Sequence, residues 1–257
     1  MLVAMMPILS AQRLAATWID GPHWVLVGIA LASLVGAYAA YYALVRFGER
    51  RRVSELAPGA LPRDLALGLL IGLGMFTLVF ASLRLAGVYT LAPGQWDDWG
   101  HDVRAAIATG LVEELLIRLI VFRLLMRAFG MWPALIGSAL LFGAAHLMNP
   151  NASYVAAAAI AVEAGLMLAA FYLLTGRIWM SVGVHAAWNF AQGPVFGARV
   201  SGQVESGSLF VSGPVAGSSS VLSGGAFGPE ASLSAVLVGL IVFLVVMRAV
   251  RARGRSD

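Results

Sequence analysis

The chain has 257 residues, of which 60% are hydrophobic and 12% are charged, and its mean hydropathy is +0.85. Soluble globular domains carry roughly 25% charged residues, so this composition excludes that class and indicates a polytopic membrane protein. The absence of cysteine excludes disulfides, thiolate metal ligands and a cysteine nucleophile. All 17 basic residues are arginines and the net charge is +4, a balance that fits membrane topology better than nucleic-acid binding.

The predicted elements begin with an interfacial segment and continue with apolar spans. Residues 1–23 are expected to hold one short interfacial helix and no cleaved signal peptide. A transmembrane helix needs about 20 mostly apolar residues. Candidate spans are residues 24–45, 65–83, 105–125, 133–148, 154–174, 178–190 and 232–247. The predicted fold class is therefore all-α, a polytopic transmembrane helical bundle of about seven spans.

One long connection precedes the last span. Residues 196–230 are rich in glycine and serine, and we expect an external loop or lid that cannot fold alone. The predicted units are the interfacial segment (1–23), the first two spans (24–100), the core helices that hold the buried polar residues (101–195), the loop (196–230), and the last span with its basic tail (231–257).

The placement of arginine predicts the orientation of the bundle, because Lys and Arg concentrate in cytoplasmic loops. With the N-terminus outside, twelve arginines fall on the cytoplasmic side and four on the outer side, and Arg118 lies inside a span. The cytoplasmic set is Arg46, Arg50, Arg51, Arg52, Arg63, Arg123, Arg127, Arg177, Arg248, Arg251, Arg253 and Arg255. The C-terminus is therefore predicted to be cytoplasmic.

Several polar side chains lie inside the predicted spans, away from the span ends. They are Glu113, Glu114, Arg118, His146, Glu163, His185 and Asn189. An ionisable group near the bilayer centre costs about 2.5–3.5 kcal/mol on insertion scales, so such groups face a protein interior or a cavity. Because these residues fall in four consecutive spans, we expect one shared site. The role of Glu163 is left open between pairing with Arg118, relaying protons and helix packing.

The stretch GLVEELLIRLIVF, residues 110–122, carries three of these charges. Glu114 and Arg118 are four residues apart with the acid first, the favoured order for a helical ion pair, so we predict a structural pair. Glu113 is rotated by about 100° from Glu114 and has no such local partner. It is predicted to be the free carboxylate that acts as a general base or acid. The alternative is one salt-bridge network that only packs helices.

Two histidines and an amide complete the predicted set. In LLFGAAH, Phe142 and His146 share a helix face, so the aromatic ring can stack against the imidazole. In HAAWN, His185 and Asn189 are also one turn apart, and the amide can hold a histidine, a water molecule or an oxyanion. Packing, or an interhelical hydrogen bond, is the alternative for each of them.

A carboxylate, two imidazoles and an amide around one cavity can bind and activate a water molecule. Glu113 would take its proton while His146 and His185 orient it, and Asn189 would stabilise the oxyanion. The predicted reaction is hydrolysis of a peptide bond without a covalent intermediate. Glu113, His146 and His185 also match a catalytic zinc ligand set, so activation by a divalent metal stays open beside direct activation.

Three motifs in this order, on separate predicted spans, resemble a known family: EELLIR, FGAAH and HAAWN. They resemble the CPBP intramembrane proteases, the CAAX prenyl endopeptidase and bacteriocin-processing group also called the Abi family. The resemblance covers residues 100–195, and GGAFGPEASL at 224–233 is similar to the later part of a bacterial subgroup. Its implied catalytic and supporting residues are Glu113 as base, His146 and His185 on the water or metal, Asn189 at the oxyanion, and Glu114, Arg118 and Phe142 in support.

The resemblance implies an endopeptidase in a bacterial plasma membrane, in contact with lipid, that acts on a protein or peptide and not on nucleic acid. Two other functions stay open. In a proton-coupled transporter the same groups would relay protons, although the chain lacks the inverted repeat of many transporters. In a non-catalytic immunity or scaffold protein the motifs would serve packing alone.

Overall fold

A computed structural model describes residues 23–96, 99–204 and 207–253. The predicted interfacial helix falls within residues 1–22, outside the described residues. The α-helices are α1 (His23–Ala43), α2 (Leu61–Leu85), α3 (Trp99–Glu114), α4 (Arg123–Phe129), α5 (Met131–Ala145), α6 (Tyr154–Ile160), α7 (Met167–Thr175), α8 (Trp179–Phe190), α9 (Ser220–Ser223) and α10 (Leu233–Arg253). The predicted all-α polytopic bundle is confirmed.

Several α-helices continue directly into π-helical turns. These turns are Leu44–Gly48 after α1, Leu115–Phe122 between α3 and α4, Ala161–Leu166 between α6 and α7, and Ala191–Val195 after α8. Short 3₁₀ segments occupy Ser54–Leu56, Pro58–Ala60, His146–Met148 and Pro229–Ala231. π-helical turns are rare and occur frequently at functional sites. The second and third of them contain Arg118 and Glu163, two residues of the predicted polar set.

Five helical segments of the described chain are long and apolar enough to cross a membrane. They are Val27–Gly48, Ser54–Leu85, Met131–Met148, Tyr154–Thr175 and Leu233–Arg253. The other two predicted spans are not among them, because residues 105–125 carry a cluster of charges and α8 has only 12 residues. The count of seven spans therefore stays a prediction. Large apolar side chains such as Leu70, Leu140 and Ile241 are exposed, as a lipid-facing surface requires.

Helices α2 and α8 approach each other closely along a seam of glycines. A methyl group on Gly68 would overlap the carbonyl oxygen of Met180, and one on Gly183 would lie 2.6 Å from the carbonyl oxygen of Leu65. Small residues allow such close backbone contact between membrane helices. The seam fixes the position of α8, the helix that carries His185.

The seam gives a direct test of the packing. Gly72→Ala places a methyl group against the carbonyl oxygen of Val184, so we expect unfolding to become easier by about 1–3 kcal/mol. Gly74→Ala on the same helix is the control, because no atom lies within 4 Å of the added methyl group. Thermal unfolding of both purified variants in detergent measures the difference. Equal melting temperatures would contradict the packing described above.

In its described part, the predicted loop 196–230 forms a strand and packs on the helices. Strand β1 (Tyr89–Pro93) pairs with β2 (Phe210–Pro214) in an antiparallel sheet, with Tyr89 opposite Pro214. The ring of Phe196 stacks on Phe80 of α2 at 4.3 Å. The loop gains its structure by packing on the helices, because its own apolar surface is too small to form a core.

An ion-pair cluster joins the end of α1 to α4. Glu49 contacts Arg51 at 2.9 Å, Arg123 at 2.7 Å and Arg127 at 2.8 Å. Hydrogen bonds from Arg123, assisted by Arg51, lower the pKa of Glu49 to about 2. The cluster gathers three of the arginines that topology predicts to be cytoplasmic, while the orientation itself stays a prediction.

Candidate active site

The predicted catalytic residues come from three helices and line one cavity. Helix α3 supplies Glu113, the 3₁₀ turn after α5 supplies His146, and α8 supplies His185 and Asn189. All four line a cavity of about 340 Å³. Its wall also includes Asp102, Thr109, Pro194, Val200, Ser201 and Gln203.

Glu114 is a fully buried carboxylate that joins two helices. Its Oε2 lies 3.2 Å from Nε of Arg118, so the predicted ion pair is confirmed, although the N–H is not aligned for a hydrogen bond. Its Oε1 lies 3.1 Å from Nδ1 of His185. Arg118 is also fully buried and donates from Nη2 to the carbonyl oxygen of Ala164 at 3.2 Å. Glu114 therefore supports an imidazole as well as a helix.

Glu113 lies on the cavity side of the same helix. Its side chain is 32% exposed, and its Oε2 is 3.8 Å from Nε2 of His185, too long for a hydrogen bond. Within the described part of the chain, this oxygen receives no hydrogen bond. Neighbouring residues on α3 point in different directions, so Glu114 is buried and paired while Glu113 faces the cavity.

The hydrogen-bond partners fix the tautomers of both histidines. An ionised carboxylate and a carbonyl oxygen can only accept, so Nδ1 must be the donor in each case. His185 donates from Nδ1 to Glu114, and His146 donates from Nδ1 to the carbonyl oxygen of Phe142 at 2.8 Å. With Nδ1 as the donor, the neutral form of each imidazole has Nε2 as its acceptor.

Phe142 contacts three of the predicted residues. Its ring packs edge-on against His146, with centroids 4.7 Å apart, and faces His185 at 6.0 Å. The guanidinium of Arg118 lies over the same ring, 4.8 Å from its centroid, within the range of a cation–π contact. Phe142 therefore holds both imidazoles and the buried cation in a fixed arrangement.

Glu163 lines a second, smaller cavity beside the first. This cavity of about 20 Å³ can hold about one water molecule and shares His146, His185 and Asn189 with the larger one. The Oε2 atom of Glu163 is buried and has no hydrogen-bond partner among the described residues. Gly239 of α10 packs directly on its backbone, as the helix-packing alternative expects.

Binding of a divalent metal at this cavity stays a prediction. No group of three or more His, Asp or Glu residues in the described ranges is placed to hold one together. Glu113, His146 and His185 line one cavity, so all three predicted ligands lie around the same space.

Sequence reasoning missed the polar residues on the far side of the smaller cavity. Glu230 lines it together with Ser201, and Gln192 connects Glu230 to Trp188 of α8. These residues come from three separate segments, so no helical spacing relates them. The available signals for Glu230 were an acidic residue in a segment rich in glycine and serine and its place in GGAFGPEASL, the stretch that resembles a bacterial subgroup.

The apolar helices with an internal cavity lined by carboxylates and imidazoles indicate an integral membrane protein. Residues 95–191 match the Rce1-like family model, described as type II CAAX prenyl endopeptidase. This segment carries all three motifs, so the match agrees with the resemblance to CAAX proteases. The match supports a CAAX-type intramembrane endopeptidase in general. No curated protein and no solved structure matches it.

Proposed function

We propose that the protein hydrolyses a peptide bond of a membrane-associated protein or peptide, using a water molecule that Glu113 activates. The observation that carries this proposal is the convergence of Glu113, His146, His185 and Asn189 on one cavity. The match of residues 95–191 to a protease family supports it independently.

The proposed reaction starts with water held in the cavity. The water donates one hydrogen bond to an unprotonated imidazole Nε2, of His146 or of His185, and the other to the Glu113 carboxylate, which removes that proton as the oxygen attacks the peptide carbonyl carbon. The Asn189 amide donates to the oxyanion of the tetrahedral intermediate. Glu113 then returns the proton to the leaving nitrogen as the C–N bond breaks. Glu114 holds the His185 ring in the tautomer that this step needs.

A metal-removal experiment tests the direct activation of water. We expect proteolysis to stay unchanged after dialysis against EDTA, because the described side chains form no shared metal site. Cleavage of a reporter peptide before and after chelation, together with metal analysis of the purified protein, gives the measurement. Loss of activity that added zinc restores would contradict direct activation and return Glu113, His146 and His185 to the role of ligands.

The transporter alternative gains no support from the site. Glu163, which a proton pathway would use, lines a cavity with room for about one water molecule.

For localisation, we propose a bacterial plasma membrane with a cytoplasmic C-terminus. The arginine cluster at Glu49 supports this orientation, and Arg253 near the C-terminus donates to the carbonyl oxygen of Leu174.

A further inference from the structure

Glu230 is a buried carboxylate beside the site that the proposed chemistry does not use. It is 2% exposed and precedes α10. Its Oε1 accepts a hydrogen bond from the backbone N–H of Ser201 at 2.5 Å, and its Oε2 accepts one from the Gln192 amide. Gln192 also accepts from Nε1 of Trp188 at 3.0 Å. Glu230 thereby joins the loop to the end of the helix that carries the proposed catalytic residues.

The loop segment that Glu230 holds is a tight turn in a rare conformation. Val200 and Gln203 exchange two backbone hydrogen bonds, of 3.2 and 2.9 Å. Ser201 has φ +49° and Gly202 has φ +81°, as in the turns that join hairpin strands. A serine in this left-handed region persists only where its surroundings hold it there. The hydrogen bond that the Ser201 N–H donates to Glu230 supplies that restraint.

The same turn forms part of the wall of the large cavity. Val200, Ser201 and Gln203 line it, together with Glu113 of α3. The wall is also fixed from behind, because the N–H of Gly202 donates to the carbonyl oxygen of Phe227 at 2.7 Å. A peptide that reaches Glu113 must therefore lie against a turn whose position depends on the segment before α10.

We propose that Glu230 is a positioning residue that fixes the turn at residues 200–203 as the substrate-binding wall of the cavity. This inference rests on the proposed function for its kinetic readout. Burial raises the pKa of Glu230 to about 7. The hydrogen bonds from Gln192 and Ser201 lower this pKa, so these two contacts favour the ionised carboxylate.

The first test is kinetic and uses Glu230→Gln. Glutamine offers one acceptor oxygen where two donors need one each, so the turn loses a buried hydrogen bond. The substrate is a quenched-fluorescence peptide whose sequence comes from proteins that accumulate uncleaved in cells expressing Glu113→Gln. For Glu230→Gln on this peptide, we expect KM to rise about tenfold and kcat to change less. Glu49→Gln, a matched change at the ion-pair cluster, should leave KM unaltered. An unchanged KM in folded Glu230→Gln would overturn the inference.

A rescue variant separates positioning from general loss of stability. In Gln192→Glu combined with Glu230→Gln, the amide and the carboxylate exchange places, so the bond between them and the bond to Ser201 can both form, while the bond from residue 192 to the carbonyl oxygen of Arg199 is lost. We expect a KM nearer to that of the wild type than the single variant gives. A double variant that is no better than Glu230→Gln counts against the positioning role. If Glu230→Gln does not fold, Gln192→Leu removes the other hydrogen bond that holds the Glu230 carboxylate, and KM should rise likewise.

A spectroscopic test does not depend on proteolysis. The chain has no cysteine, so Leu91→Cys and Val204→Cys accept one spin label each, on β1 and on the residue after the turn. Glu230→Gln should broaden the distance distribution between the two labels. An unchanged distribution overturns the inference even if the protein is a protease. If the distances broaden in Glu230→Gln but the wild type cleaves no peptide, the positioning of the turn by Glu230 is supported and only the proposed function is contradicted.

Discussion

Glu113→Gln is expected to reduce proteolysis by about 10²–10⁴-fold, the usual contribution of a general base. The amide keeps the shape of the side chain but cannot accept the proton of the attacking water. Stability should change by less than about 0.5 kcal/mol, because Glu113 is partly exposed and has no ion-pair partner along its own helix. Purified wild type and variant are compared on one peptide substrate in detergent, with melting temperature as the measure of folding.

The control for this experiment is Glu49→Gln, a carboxylate outside the cavity that contacts three arginines. It should cost stability while kcat stays near the wild-type value, the opposite pattern to Glu113→Gln. Cells that express the Glu113→Gln variant should accumulate uncleaved substrate, which mass spectrometry can identify. Undiminished proteolysis by the purified Glu113→Gln protein would remove this carboxylate from the mechanism.

Arg118→Ala is expected to destabilise the protein by about 3–5 kcal/mol, because it leaves the Glu114 carboxylate buried without its cation. Both side chains are 0% exposed, so water cannot replace the lost partner. The substitution also removes the contact with the Phe142 ring and the hydrogen bond to Ala164. Folded yield and thermal unfolding in detergent are the measurements.

Arg127→Ala provides the matched control for Arg118→Ala. Its ion pair with Glu49 is mostly exposed, and surface pairs contribute about 0–1 kcal/mol. A melting temperature for Arg118→Ala as high as that of Arg127→Ala would refute the buried pairing. A further variant, Glu114→Gln with Arg118→Met, should recover stability but not proteolysis, because the ionised acceptor of His185 would be missing.

The membrane helices could be predicted from sequence where apolar runs are long. The predicted span 154–174 nearly coincides with Tyr154–Thr175, and 133–148 lies within Met131–Met148. The β1–β2 pair was not predicted, because its strands are five residues each, lie about 120 residues apart and show no alternating pattern. The ends of α2 also extend beyond the apolar run 65–83, since polar residues near a span end can remain helical.

In the candidate site, contacts between residues one helical turn apart could be predicted from the sequence, and contacts between distant segments could not. Helix periodicity was enough to pair Glu114 with Arg118 and Phe142 with His146, because each pair is one turn apart. The contact between Glu114 and His185 spans 71 residues, and no spacing rule predicts it. Glu230 was missed for the same reason, since its partners become neighbours only when the loop packs on α8.

Between Glu114 and Arg123 the backbone N–H groups bond to carbonyl oxygens five residues earlier instead of four, so this part of the helix is wider than a regular α-helix. A helical wheel drawn at 100° per residue therefore drifts out of phase after Leu115 and misjudges which later side chains face lipid. Deleting one residue in this turn would return it to regular winding. Alignments of related chains that place a one-residue gap here would then describe a change of winding and not the loss of a helix.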